Sequence, residues 1–176
     1  MSGHSKWSKI KRQKEVVDAK KGKAFGKFSR LITLESKRAK GDVASPGLRK
    51  VIERARTINM PAGNIERAVK KGLEKEAGAL EEVLYEAYGP AGSAILIMGL
   101  TDNKNRTSAE IKHLLTKNGA SIAPPGAASW AFEKKDDGWF PKIPTTLSSE
   151  DGERLTALVA ELEENDDVQS VYSSAQ

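Results

Sequence analysis

The 176 residues are enough for one large domain or two small ones, and 38% hydrophobic against 30% charged residues excludes disorder as the default. There is no cysteine, which excludes disulfides and thiolate metal sites; the longest apolar run, 94–100, is too short for a bilayer, no signal-peptide stretch is present, and a cytoplasmic protein without a membrane partner is expected. The net charge of +5 conceals an asymmetry: residues 1–76 hold 21 Lys and Arg against 8 Asp and Glu, whereas residues 77–176 hold 8 against 16, so a polyanion is drawn to the first part and repelled by much of the second.

Residues 1–24 are polar and basic, with sparse apolar positions at Trp7, Ile10, Val16 and Val17, and the first dozen read as an arm that is disordered alone. From about Asp18 the period becomes helical: Phe25, Phe28, Leu31 and Ile32 recur at spacings of three and four until AKGD breaks the pattern. Ser45-Pro46 reads as cap and first residue of a second helix, with Leu48, Val51, Ile52, Ala55 and Ile58 on one face. Pro61 starts a third, which buries Ile65, Ala68 and Val69 and is expected to stop at a left-handed Gly72. These three helices make a basic bundle over 1–76. The acidic stretch 74–81, with Gly78, reads as the linker to an acidic domain over 77–176.

Beyond the linker the period changes to that of strands. Residues 83–88 and 94–100 flank the turn signal GPAGS and predict an antiparallel pair. Thr107 with Glu110 reads as a capping box, so a helix is expected over 108–118, ending at Gly119 and burying Ile111, Leu114 and Leu115. A strand at 128–133, a turn through KKDDG, a strand near 140–146, a helix over 150–164 striped by Leu155, Leu158, Val159 and Leu162, and a strand at 169–172 follow. The fold class is α+β: a three-helix bundle, then an α/β sandwich of two helices on one face of a mostly antiparallel sheet. No repeat of solenoid length is present.

Lys6, Lys9, Lys11, Arg12, Lys14, Lys20, Lys21, Lys23, Lys27 and Arg30 are interrupted only by Glu15 and Asp18, and so many mutually repelling cations call for an external polyanion. Trp7 in their midst could stack on an unpaired base or lie as a lid on the bundle. Lys70 and Lys71, at the end of the third helix, join this candidate nucleic-acid-binding set. The loop TDNKNRT, 101–107, sits between a strand end and a helix start, where Arg106 could meet phosphate while Asp102 satisfies backbone groups. His4 and His113 lack ligand spacing, so no metal and no cofactor are expected; His113 is expected on the solvent side of its helix. Glu150, Asp151, Glu163, Glu164, Asp166 and Asp167 read as solvating charge, and no catalytic residue is assigned.

GHSKWSKIKRQK, AKKGKAFGKFSRLI, NMPAGNIERAVKKG, YEAYGPAGSAILI, LTDNKNRTSAEIKHLL and DDVQSVY, in this order over nearly the whole chain, strongly resemble the YebC/PmpR family. The resemblance implies a regulatory protein of bacterial or organelle type, historically called a transcriptional regulator, with relatives that act as translational activators or help ribosomes through proline-rich stretches. It also implies a third domain after SWAFEKK, a place where this sequence has only KKDDGWFPKIP. Cations scattered over a bundle and arm, with no recognition helix of base-reading side chains, favour RNA over DNA; together with the resemblance, this implies a monomeric RNA binder on the ribosome, touching rRNA or tRNA and ribosomal proteins. The alternatives are a DNA-binding transcriptional regulator, an enzyme that uses 101–107 as a phosphate site, and an adaptor for an acidic protein.

Overall fold

The computed structural model describes the backbone of residues 3–75, 79–135 and 138–176, and the side chains from Asp18 onward. It forms two compact units, Met1–Gly78 and Ala79–Gln176.

The first unit consists of α1 (Gly3–Arg38), α2 (Pro46–Thr57) and α3 (Ala62–Leu73). Their apolar stripes meet in a core of Ile32, Leu48, Ile52, Ala55, Ile65 and Ala68, joined by Met60 from the connection between α2 and α3, with Phe25 and Phe28 packed against it. The expected N-terminal arm is instead the first half of α1, a 36-residue helix. No Gly or Pro interrupts residues 4–21, most of which are good helix formers, and Glu15 and Asp18 follow Lys11 and Lys14 by four residues, one helical turn. At 1.5 Å per residue α1 is about 54 Å long and its two 12-residue partners about 18 Å each, so they can cover only part of it.

Gly72 is not the left-handed stop that the sequence predicts: it lies within α3, and the helix ends one residue later. What needs glycine there is close packing. A Cβ at Gly72 would lie 2.6 Å from the Thr33 carbonyl oxygen and 2.7 Å from Ser36 Cβ. The same contact is fastened by the hydroxyls of Thr33, which donates to Ala68 O at 3.2 Å, and Ser36, which donates to Val69 O at 2.7 Å.

The second unit is built on a four-stranded sheet in the order β3-β1-β2-β6, formed by β1 (Glu81–Tyr88), β2 (Ala94–Thr101), β3 (Ser121–Ala123) and β6 (Val168–Ser173), with every ladder antiparallel. β2 is central, and its residues 94–100 are all apolar because both its faces are covered. Ile95 and Ile97 pack with Ile111 and Leu115 of α4 (Lys104–Lys117) and with Leu155, Leu158 and Leu162 of α5 (Ser149–Glu164). Ala94 and Leu96 face the other way, against Ala128, Ala131, Phe132 and Trp139. This second layer holds a 3-10 turn, Ser129–Ala131, and the hairpin of β4 (Phe132–Lys135) and β5 (Gly138–Pro141).

Three expectations are corrected in this unit. The strand read at 128–133 begins only at Phe132, because 129–131 make the 3-10 turn. The strand read at 140–146 ends at Pro141; Thr145 retains a single bridge to Ala175. Thr107 is not a cap: α4 starts three residues before it, capped by Asn103, whose side chain accepts from the Arg106 amide at 3.1 Å. The capping pattern is present, but the Thr107 hydroxyl is drawn into the core. β3, absent from the sequence reading, is a three-residue edge strand. The turn residues Asp136 and Asp137 and the linker's Gly78 lie outside the described residues.

Candidate nucleic-acid interface

Basic side chains on the helical unit form the candidate surface. Along α1, Lys20, Lys23, Lys27 and Arg30 follow at spacings of three, four and three, which places them on one arc roughly 150° of rotation from Phe25, Phe28 and Ile32. Lys21, one residue on from Lys20, lies off this arc toward the apolar stripe, so the cations keep part of the scatter that the sequence predicts. Lys20 and Lys21 are exposed; Lys23, Lys27 and Arg30 are half-buried and interact with neighbouring groups. The side chains of Lys6, Trp7, Lys9, Lys11, Arg12 and Lys14, and that of His4, lie outside the described residues, although their backbone belongs to α1.

All three helices carry cations in the last turn: Lys37 and Arg38, Arg54 and Arg56, Lys70 and Lys71. Part of their use is local, since positive charge complements a helix C-terminus. Arg54 lies over the Phe28 ring, 5.6 Å from its centroid, and Arg38 pairs with Glu35 at 2.7 Å. Lys70, Lys71 and Arg56 are exposed and, among the described residues, have no carboxylate at ion-pair distance. Lys70 and Arg56 flank an open groove of about 510 Å³ between α2 and α3. Its apolar lining comes from Val43, Ile52, Ile65 and Val69, and Arg49, Glu53 and Glu66 complete the rim. Arg49 pairs with Glu53 at 3.5 Å.

The second unit spends its distinctive charges internally. Asp167, read as solvating charge, is 3% exposed and joins the start of β6 to the start of α4. Its carboxylate accepts from Thr107 Oγ1 at 2.6 Å, Arg106 Nη2 at 2.8 Å and Thr101 Oγ1 at 3.3 Å. Arg106 also donates to Asp102 at 2.9 Å, and the carboxylate hydrogen bonds of Asp167 and Asp102 hold its pKa above the ordinary arginine value. Thr101 Oγ1 accepts from the Asn103 amide at 2.9 Å, so TDNKNRT satisfies much of its own backbone. His113 is exposed on α4.

Glu86 is the other buried carboxylate among the described residues, 6% exposed on the sheet face beneath residues 126–132. Burial alone would raise its pKa, yet amides of Gly126, Ala128 and Ser129 donate to it at 2.7, 2.7 and 2.8 Å and bring it below the ordinary glutamate value. It holds APPGAAS in place, and Tyr88 adds a hydroxyl bond to Ala127 O. No sequence pattern marked Glu86 beyond a charged residue at an inward position of a strand. Among the described residues no cluster of His, Asp and Glu could hold a metal ion, and no helix is long and apolar enough to cross a membrane.

Residues 5–75 match the family model described as the TACO1/YebC protein N-terminal domain, and residues 80–136 match that of the TACO1/YebC second and third domain. A "probable transcriptional regulatory protein" of Caldanaerobacter subterraneus subsp. tengcongensis is 36% identical over 239 aligned positions, which cover 100% of this chain and 98% of the relative. That alignment exceeds the 176 residues here, so the relative carries stretches with no counterpart in this chain. A protein of the same description from Borrelia hermsii is 52% identical over 137 residues, 77% of this chain and 56% of its own. The crystal structure of a conserved hypothetical protein from Aquifex aeolicus superposes with a TM-score of 0.83 at 29% identity, covering 91% of this chain and 92% of that one. The chain belongs to the TACO1/YebC family.

Proposed function

We propose that this protein is a non-enzymatic, nucleic-acid-binding regulator of gene expression whose helical unit grips a phosphate backbone, most favourably that of RNA on the ribosome. The observation that carries the reading is the group of exposed cations on α1 and α3, Lys20, Lys21, Lys70 and Lys71, which no carboxylate among the described residues neutralises. A phosphate backbone would do so and would release condensed counterions. The α1 residues Lys6, Lys9, Lys11, Arg12 and Lys14 extend this set along the sequence, with Trp7 available to stack on a base. Lys23, Lys27 and Arg30 belong to it as the continuation of the α1 arc. Arg106 enters as a weaker contact, since its guanidinium is already shared between Asp102 and Asp167. The protein acts as a monomer, with rRNA or tRNA and ribosomal proteins as its neighbours.

RNA is preferred to DNA because the cations follow helix ends and one long helix rather than a short set of base-reading residues on a recognition helix. The DNA reading draws on the relatives' description as transcriptional regulators. Cross-linking in cells followed by sequencing of both RNA and DNA separates the two. Recovery of ribosomal or transfer RNA supports the translational reading; recovery of promoter DNA alone overturns it in favour of transcription.

A further inference from the structure

The groove between α2 and α3 combines features that a solvated helix surface has no use for. Ile52, Ile65 and Val69 give it an apolar floor, Arg56 and Lys70 stand at its edge without carboxylate partners among the described residues, and Glu53 and Glu66 line the same rim. Its volume of about 510 Å³ falls within the roughly 300–1,000 Å³ of small-ligand sites. We propose that this groove receives an unpaired nucleobase of the RNA that the bundle holds, with the flanking phosphates on Arg56 and Lys70; the inference rests on the RNA reading above.

Each part of the lining answers to one part of a nucleotide. The floor suits the face of a base, which gains by leaving water. The two cations suit the phosphates on either side. The carboxylates, which would repel a phosphate, accept from the N–H groups of a base edge, as Glu and Asp do from exocyclic amines. Guanine presents an N–H and an amino group side by side and is the base best matched to Glu66; uracil, with a single N–H, is matched least. An acidic helix would set its carboxylates against Glu53 and Glu66, and a neutral apolar one would leave Arg56 and Lys70 unmatched, so charge favours the nucleotide over a peptide.

The test uses the full chain with labelled Ile and Val methyl groups and four probes: a short single-stranded RNA containing guanine, its duplex, oligouridine, and an acidic amphipathic peptide. The Ile52, Ile65 and Val69 methyl resonances are expected to shift with the guanine-containing strand and much less with its duplex. Glu66→Ala, at an exposed position, is expected to weaken that strand about tenfold and to leave oligouridine no weaker, since it also removes a charge that repels phosphate. Salt-dependent RNA binding with still methyls and no effect of Glu66→Ala overturns the groove inference and leaves the RNA reading standing. Absence of binding to every RNA overturns the RNA reading itself, and the groove inference with it. Methyl shifts with the peptide and not with RNA also overturn the proposal, in favour of a protein occupant.

Discussion

Thr107 donates its hydroxyl hydrogen to the Asp167 carboxylate at 2.6 Å, across 60 residues of sequence. The bond ties the first turn of α4 to the entry of β6, and the Asp167 carbonyl accepts from the Leu100 amide at 2.7 Å beside it. Three donors thus converge on one buried carboxylate: Thr101, Arg106 and Thr107.

Asp167→Ala is therefore expected to cost the second unit about 1–3 kcal/mol, because it removes the acceptor that Thr101, Arg106 and Thr107 share, although Thr107 keeps Thr101 Oγ1 and Asn103 O within reach and Arg106 keeps its exposed partners. Asp102→Ala, at an exposed position, should cost less than about 1 kcal/mol. Urea unfolding followed by the fluorescence of Trp130 and Trp139 measures both. Equal midpoints for the two variants would show that the Asp167 cluster is not what holds β6 to α4.

Glu86 makes a prediction about acid. An unfolded glutamate titrates near 4.3, at roughly its free value. The folded carboxyl lies lower because the amides of Gly126, Ala128 and Ser129 outweigh the cost of its burial. Its contribution is therefore fully present above about pH 4.3 and drains away as pH falls through the depressed folded pKa. Glu86→Gln should lower stability at neutral pH and flatten the acid limb of the stability curve. An acid limb unchanged in steepness would mean that other carboxylates set it.

The glycines of the helical unit separate packing from propensity. Gly22 and Gly26 lie within α1 with open space where a Cβ would stand, so replacing both by alanine should stabilise the unit by about 1–2 kcal/mol through helix propensity. Gly72→Ala makes the same chemical change but drives a methyl into the Thr33 carbonyl and Ser36, and should destabilise by about 1–3 kcal/mol. Thermal unfolding of the two variants should move in opposite directions; movement in the same direction would refute the close α1–α3 contact.

These residues also show what the sequence makes legible. Amphipathic periods place α2, α3 and α5 because each helix buries one stripe, and the apolar run at 94–100 marks a strand, but the second layer that covers its other face is not foreseen in the sequence. Gly72, Thr107 and Asp167 are misread because their roles depend on partners far off in the sequence, and local patterns such as a capping box or a glycine stop carry no information about such partners. The N-terminal half of α1 was misread for a different reason: its helix is continuous in propensity but has no apolar stripe to announce it. Of the candidate site, the cations were visible from composition. The groove was not, because it depends on how two helix faces are set side by side.

The phosphate-gripping role makes a quantitative prediction about salt. Each neutralised phosphate contributes about 0.7 to the slope of log affinity against log salt on single strands and about 0.9 on B-form DNA. Charge reversal at Lys70 and Lys71, both exposed in the last turn of α3, should therefore lower the slope by about 1.5 and weaken binding to all RNA sequences alike. Reversal of Lys9, Lys11 and Arg12 in the first half of α1 should lower it by about 2–3, again without regard to sequence. Fluorescence anisotropy over a salt series gives both slopes. If both stay at the wild-type value, the phosphates are held elsewhere, and the exposed cations of α1 and α3 need another explanation.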